Sequence, residues 1–308
     1  MKSGGEVLAN FADRLMSAIK QKNSRVVVGL DPHLQLMPPH LLEDAYLEHG
    51  EGARAEACAI TRFNEAIIEA IAEDVVAVKP QVAFYEQLGS WGFVALEKTL
   101  AMAREAGLIV IVDGKRNDIG STAAAYAEAY LGDGPLAGDA LTVNPYLGED
   151  GLNPFIDRCR GTDKGLFVLL RTSNPSAGDL QDLPVQGRPL YLHLADLINA
   201  WSLGTEGERG YRSVGVVVGA TYAEEARQLR RQLPNLPFLV PGYGHQGATA
   251  QDVASCFNPD GAGAIISSSR GIIFAYRKRY GPKEFARAAR DAVKEMKGDI
   301  NTALGRCD

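Results

Sequence analysis

Short apolar runs recur along the chain, and each ends in polar, glycine or proline residues. Their length and β-branched content are typical of strands that are buried on both faces, which read as continuous rather than alternating apolar segments. Segments with apolar residues at helical spacing separate them. The eight runs span residues 25–31, 75–80, 108–113, 140–145, 165–173, 213–221, 237–242 and 263–270.

Eight strands that alternate with helices predict an α/β fold of the (β/α)8 TIM-barrel type, built as a single domain over residues 1–308. A doubly wound open sheet is the alternative. It would not need eight runs, and the glycine-rich dinucleotide fingerprint is absent after the first run. Two connections are long, at about 32–60 and 172–189. We expect them to be insertions at the strand ends where barrel enzymes build their sites, and 172–189 to act as a lid.

The first twenty residues predict an amphipathic helix rather than a secretion signal, because their apolar positions recur at helical spacing and form no continuous core. These positions are Val7, Leu8, Phe11, Leu15, Met16 and Ile19. No apolar run in the sequence approaches membrane-spanning length. The four cysteines lie far apart without a CxxC pair, which favours free thiols in a reducing cytoplasm.

The net charge is −6, and 23% of the residues are charged. This balance is ordinary for a mildly acidic protein and gives no reason to expect nucleic acid or an anionic membrane as a partner. Composition therefore leaves a small-molecule function open and does not specify it.

Charged side chains follow several of the runs, where barrel enzymes carry their chemistry. Asp113 and Lys115 are two residues apart, so they point to the same side if the strand continues that far. Lys79 ends the neighbouring run. A carboxylate between two ammonium groups would have a lowered pKa. The structural alternative is a salt-bridged rim that only stabilises the barrel.

Two glycine-rich segments follow the seventh and eighth runs, "PGYGHQGA" at 241–248 and "SSSRGI" at 267–272. Loops in these positions are the usual phosphate site of the barrel, using backbone N–H groups and a helix N-terminus. Arg270 adds a cation suited to bidentate contact. The segments predict phosphate binding, with two ordinary turns as the alternative.

The motif D-x-K-x-x-D-I-G-x-T at 113–122 resembles the signature of the orotidine 5′-monophosphate decarboxylase family. Six other blocks occur in order and resemble its longer, bacterial branch: "GLDPH", "VKPQVAFYEQLG", "VNPYLGEDG", "RTSNPSAGDLQ", "PGYGHQGA" and "SSSRGI". The resemblance implies a barrel homodimer that converts orotidylate to UMP and CO₂ in pyrimidine synthesis. It implies no cofactor and no metal.

The resemblance also implies roles for single residues. Those matching the alternating charged tetrad are Lys79, Asp113, Lys115 and Asp118. Lys115 would stabilise the carbanion and donate the proton, while Asp118 and Thr122 would serve the partner's site. Residues matching substrate ligands are Asp31 for the ribose, Ser173 for the pyrimidine, and Gln246 and Arg270 for the phosphate. Asn144, where many members have histidine, is grouped with them, and Ser269 stands where others have glycine. Arg116 and Asn117 receive no role.

Three other functions remain open. Barrels that act on sugar phosphates with Mg²⁺ also carry D-x-K-x-x-D, but they resemble a case in which glutamate, a metal ligand, occupies the position of Lys79. A Schiff-base aldolase would use a buried strand-end lysine as its nucleophile. A non-catalytic phosphate-binding barrel would bind UMP without turnover.

Overall fold

The computed structural model describes residues 9–220, 223–244 and 247–306. The strands in chain order are β1 (Val26–Leu30), β2 (Ala77–Pro80), β3 (Ile109–Arg116), β4 (Ala140–Val143), β5 (Gly165–Arg171), β6 (Pro184–Val185), β7 (Arg188–Pro189), β8 (Val214–Val218), β9 (Phe238–Pro241) and β10 (Ala264–Ser268). The helices are α1 (Phe11–Lys22), α2 (Pro39–His49), α3 (Ala53–Ile71), α4 (Ala83–Glu86), α5 (Gly89–Glu105), α6 (Gly120–Leu131), α7 (Glu149–Cys159), α8 (Gly178–Gln181), α9 (Leu190–Trp201), α10 (Ala223–Gln232), α11 (Ala250–Ala254), α12 (Arg270–Ile273), α13 (Tyr276–Arg279) and α14 (Phe285–Ala303). Short 3-10 turns span Leu34–Leu36, Pro175–Ala177 and Pro282–Glu284.

Eight strands close into a parallel barrel in the order β1-β10-β9-β8-β5-β4-β3-β2. Seven of them lie within the predicted apolar runs, and β3 begins within the run 108–113 and continues past it to Arg116. The prediction of a (β/α)8 barrel is therefore confirmed, and the doubly wound alternative is wrong. The two remaining strands, β6 and β7, pair antiparallel as a small hairpin.

The buried side chains form two layers, one inside the barrel and one between the strands and the outer helices. Helix α1 lies against the amino-terminal end of the inner layer, where Phe11 meets Phe167 edge-on with ring centres 6.1 Å apart. A Cβ at Gly165 would lie only 2.2 Å from the Phe11 ring, so the residue that begins β5 must be glycine. Because α1 covers this end, the carboxyl end of the barrel remains for a site.

The two long connections contain regular secondary structure. Residues 32–60 contain α2 and the start of α3, which begins at Ala53. Pro39 occupies the first turn of α2, where a missing N–H costs no hydrogen bond. Residues 172–189 contain a 3-10 turn, α8 and the β6–β7 hairpin. Among the described helices, none has the length and apolar content needed to cross a membrane.

Candidate active site

A carboxylate lies between two ammonium groups at the carboxyl ends of β2 and β3. Lys79 Nζ is 2.5 Å from Asp113 Oδ2, and Lys115 Nζ is 2.6 Å from Asp113 Oδ1. Strand β3 does continue past Asp113, to Arg116, as the spacing of the charges required. The structure thus brings together three members of the predicted tetrad within one chain.

Two neutral donors complete the surroundings of the Asp113 carboxylate. Gln81 Nε2 donates to Oδ2 at 3.1 Å, and Thr142 Oγ1 donates to Oδ1 at 2.8 Å. Each carboxylate oxygen therefore accepts one charged and one neutral hydrogen bond. Sequence reasoning missed both neutral donors. The available signals were that Gln81 directly follows "VKP" and that Thr142 is the polar residue inside the run "ALTV".

The charges of this cluster support one another. Burial alone would raise the pKa of Asp113, but the charges of Lys79 and Lys115 and their hydrogen bonds hold that pKa well below its ordinary value. Burial lowers the pKa of Lys79, yet the charges of Asp113 and Asp31 outweigh it, so the pKa of Lys79 is raised. Lys79 and Asp113 are buried, whereas the Lys115 side chain is 45% exposed. The exposed ammonium is the one that a bound molecule can meet.

The lowered pKa of Asp113 predicts how stability depends on pH. The carboxylate contributes stability above its ordinary pKa of 3.8 and loses it as pH falls through the lower folded value. We expect Asp113→Asn to cost about 3–5 kcal/mol in the free energy of unfolding at neutral pH, since a buried ammonium loses its counter-charge. The difference from wild type should narrow only below pH 3.8, as urea unfolding at several pH values would measure.

A matched control for this titration is Asp157→Asn, which removes the exposed ion pair between Asp157 in the last turn of α7 and Arg160 directly after the helix. Exposed pairs contribute little to stability. The control should therefore follow wild type at every pH. A difference between Asp113→Asn and wild type that narrows already at pH 6 would contradict the lowered pKa of Asp113.

The ends of β1 and β10 carry two further predicted residues. Asp31 Oδ1 is buried and has no hydrogen-bond donor among the described residues. Arg270 is exposed at the start of α12 and borders a cleft of about 310 Å³ with Tyr243, Gly244 and Ser268. Burial is the main cause that lowers the pKa of His33; the charge of Arg270 lowers it further, and that of Asp31 opposes it. The predicted ligand Gln246 lies outside the described residues.

Ser173 lies directly against the backbone at the end of β8. A Cβ at Gly219 would be 2.9 Å from Ser173 Cβ and 3.0 Å from its backbone nitrogen, so glycine permits this close approach. Beyond Ser173, the Gln181 side chain hydrogen-bonds Thr172 through the backbone nitrogen at 3.0 Å and the hydroxyl at 2.8 Å. These contacts join α8 to the end of β5.

A buried arginine fastens the 172–189 segment to the barrel. Arg171, which ends β5 and is 2% exposed, pairs with Asp182 at 3.0 Å and with Glu225 of α10 at 2.6 Å. Its guanidinium also lies over the Tyr191 ring of α9. The segment is thus tied to the end of β5 by side-chain contacts, and its predicted action as a lid stays a prediction.

Three predicted residues lie outside the Asp113 cluster. Among described residues, the Asp118 carboxylate accepts a hydrogen bond from the Ile119 backbone nitrogen at 2.8 Å and makes no ion pair. Thr122 is exposed in the first turn of α6. Asn144 Oδ1 accepts from the Tyr146 backbone nitrogen at 3.0 Å. Among the described residues, therefore, no side-chain hydrogen bond or ion pair joins Asp118, Thr122 or Asn144 to the cluster.

Comparison with known proteins identifies the family. The sequence model of the family described as "Orotidine 5'-phosphate decarboxylase / HUMPS family" matches residues 24–285 of this chain. The chain belongs to this family. The orotidine 5'-phosphate decarboxylase of Rhodopirellula baltica is 45% identical to it over 307 residues, which cover 96% of this chain and 99% of the relative. That of Caldicellulosiruptor saccharolyticus is 41% identical over 305 residues, covering 96% and 100%.

A solved structure gives the same result at the level of the fold. The structure of Leishmania donovani OMP decarboxylase is 32% identical to this chain, covers 97% of it and 100% of its own length, and has a TM-score of 0.75. The bacterial relatives carry the name of a decarboxylase, which confirms the resemblance read from the signature and the expected enzyme class, a carboxy-lyase.

Within the family signature, Arg116 has a structural explanation that the sequence did not provide. Its guanidinium forms an ion pair with Glu86 at 2.5 Å and donates a hydrogen bond to the Tyr130 hydroxyl at 2.8 Å. Both partners lie outside the Asp113 cluster. It also lies over the rings of Tyr126 and Tyr130. Arg116 therefore joins the end of β3 to α4 and α6 and supports the segment that leads to Asp118.

Proposed function

We propose that this protein decarboxylates orotidine 5′-monophosphate to UMP and CO₂ without a cofactor, with Lys115 as carbanion stabiliser and proton donor. The observation that carries the proposal is the Asp113 carboxylate held between Lys79 and Lys115. Such an arrangement presents a fixed ammonium to a site where negative charge develops, and preorganised electrostatic stabilisation of this kind is usually the largest single contribution to catalysis. The family and its named relatives supply the substrate.

The reaction breaks the bond between C6 of the pyrimidine and its carboxylate carbon. The electron pair stays on C6, where the Lys115 ammonium stabilises it and then donates a proton to C6 as CO₂ departs. Lys115 becomes neutral and regains a proton from solvent, to which its half-exposed side chain has access. Asp113 keeps Lys115 oriented and, near the substrate carboxylate, raises the energy of the ground state.

The remaining predicted residues fit the parts of the nucleotide. Asp31 Oδ1, which has no hydrogen-bond donor within the described part of the chain, is suited to accept a hydrogen bond from a ribose hydroxyl. Ser173 is assigned to the pyrimidine, and Gln246 and Arg270 to the phosphate, because they match the family's positions and Arg270 borders a cleft. Asn144 is assigned to the substrate on its position alone.

Binding energy at the phosphate supports the chemistry at C6. Enzymes lower barriers by roughly 8–23 kcal/mol, which is more than one ammonium group provides. Contacts to the phosphate are remote from C6, so their energy can be used to order the 172–189 segment over the pyrimidine and exclude water. The Arg171 contacts give that segment a fixed attachment from which to close.

The proposal includes a homodimer in which Asp118 and Thr122 complete the partner's site. Exposed apolar side chains occur near Asp118: Ile119 is 53% exposed and Leu147 42%, and Tyr146, the residue before Leu147, is 75% exposed. An exposed apolar group of this kind favours contact with another protein surface. A second copy of the chain would cover it and bring Asp118 to the partner's Lys115.

The proposal also includes the expected cytoplasmic location and a role in pyrimidine synthesis. Cys58, Cys159 and Cys256 are free thiols, as expected for a reducing compartment. The substrate is a small nucleotide, and the proposal involves neither nucleic acid nor a membrane.

Full turnover of orotidylate in excess EDTA is expected, because the charge that stabilises C6 belongs to Lys115. The measurement is the loss of orotidylate absorbance, with and without added Mg²⁺. A Mg²⁺-dependent sugar-phosphate enzyme would need the metal, but the position that would bind it holds Lys79, already paired with Asp113.

Each rival has its own signature in this assay. Activity that disappears in EDTA and returns with Mg²⁺ would contradict the cofactor-free mechanism. Borohydride trapping with substrate would indicate a Schiff-base aldolase. Binding of UMP without any turnover would indicate a non-catalytic barrel.

A further inference from the structure

The strands β3 and β4 carry unequal numbers of residues where the site begins. Val112 pairs with Leu141, and the next pair joins Arg116 to Val143. Residues 113–115 therefore lie opposite Thr142 alone. Extra residues on one strand interrupt the ladder, leave backbone groups unpaired and redirect side chains, which is why bulges recur beside active sites.

The backbone of Lys115 is unusual within this bulge. Its φ is +46°, in the left-handed region of the backbone, which residues other than glycine, asparagine and aspartate rarely adopt. Such a conformation persists only where surrounding contacts hold it. Its N–H donates to Thr142 Oγ1 at 3.0 Å.

The same hydroxyl of Thr142 donates to Asp113 Oδ1 at 2.8 Å. A hydroxyl has one proton and two lone pairs, so it can make both hydrogen bonds at once. Thr142 is 1% exposed, so water does not compete for them. Asp113 Oδ1 also accepts the hydrogen bond from the Lys115 ammonium, at 2.6 Å. Thr142 thus holds Lys115 by its backbone and, through Asp113, by its side chain.

We propose that Thr142 is a positioning residue for the reaction: its hydroxyl fills the gap in the β3–β4 ladder and fixes the direction of the Lys115 ammonium. The inference rests on the proposed function, in which that ammonium must lie close to C6. Thr142 contacts neither substrate nor reacting atoms in this role. It acts through Lys115 and Asp113, so its loss affects the chemical step more than binding.

The test compares Thr142→Val, which keeps the shape and removes the hydroxyl, with Thr142→Ser, which keeps the hydroxyl. We expect Thr142→Val to lower kcat roughly 10- to 100-fold, since small displacements of a catalytic group have effects of this order. The Kd for UMP should be nearly unchanged, and Thr142→Ser should restore most of kcat. Steady-state kinetics and calorimetric titration with UMP give both quantities.

Thr99→Val is the matched control. Thr99 is a fully buried threonine of α5 whose hydroxyl donates to the Ala95 carbonyl at 2.8 Å and accepts from Asn64 at 3.0 Å, away from the Asp113 cluster. Its loss should lower Tm and leave kcat unchanged. Three results would overturn the proposal: wild-type kcat in Thr142→Val, an equal loss in Thr142→Ser, or a loss of UMP affinity that follows kcat.

Hydrogen exchange tests the contact without any turnover and without the valine variant, which could fail to fold. The Lys115 amide proton should exchange slowly in wild type and in Thr142→Ser, although the lysine side chain is half exposed. Fast exchange at Lys115 in wild type would overturn the inference. A wild-type protein that leaves orotidylate intact would instead contradict the proposed function, and the exchange result would stand independently.

Discussion

Replacing Lys115 by alanine is expected to abolish turnover of orotidylate while leaving UMP binding largely intact. The variant loses both the charge that stabilises C6 and the proton that replaces CO₂, so a loss in kcat of more than about 10⁴-fold is expected. The binding contacts assigned to Asp31, Ser173 and Arg270 do not involve Lys115. The measurements are kcat by orotidylate absorbance and the Kd for UMP by calorimetry.

The cluster should survive this substitution. Asp113 would still accept hydrogen bonds from Lys79, Gln81 and Thr142, so its charge stays paired. Lys98→Ala, which removes an exposed lysine of α5, is the matched control and should have wild-type kinetics. Turnover retained in Lys115→Ala would exclude Lys115 as the proton donor.

The barrel could be predicted from sequence because each of its strands is buried on both faces. A strand such as β8 (Val214–Val218) has five buried residues and therefore reads as one apolar run. The start of α3 could not be predicted equally well, because residues 53–59 are mostly alanine, with one arginine, one glutamate and one cysteine, and so carry little apolar contrast. The helix begins directly after Gly52, whose φ of +134° is a backbone conformation that glycine adopts readily.

The charged part of the site could be predicted because charges at the end of a buried strand need partners. Lys79 and Asp113 satisfy that need across neighbouring strands. The neutral donors could not be predicted, because a threonine inside an apolar strand is ordinary by composition. The function of Thr142 depends on the bulge opposite it, which is a property of the strand register rather than of either run alone.

Sequence position also misrepresents which residues of the signature act together. Asp113 and Lys115 meet through the bulge, whereas Arg116, the next residue, points to Glu86 and two tyrosines. Asp118 lies beyond it and has no partner in the cluster among described residues. A ten-residue motif thus serves a site, a helix contact and, in our proposal, a second subunit.

Mixing chains that carry Asp118→Ala with chains that carry Lys115→Ala is expected to restore activity that neither variant has alone. In a symmetric dimer with shared sites, each mixed dimer has one site with both changes and one with none. Random exchange of subunits should therefore return about a quarter of wild-type sites. The measurement is kcat per chain after mixing, with heterodimers confirmed by differently tagged chains.

The matched control mixes Lys115→Ala with Asp113→Ala. Asp113 and Lys115 are in contact within one chain, so every site of that mixed dimer keeps one change and no activity should return. Confirmed heterodimers of the first pair that remain inactive would contradict Asp118 acting in the partner's site. Equal recovery in both mixtures would mean that the assay reports something other than shared sites. Recovery in the first mixture alone would explain why a carboxylate that the signature requires lies apart from the cluster in a single chain.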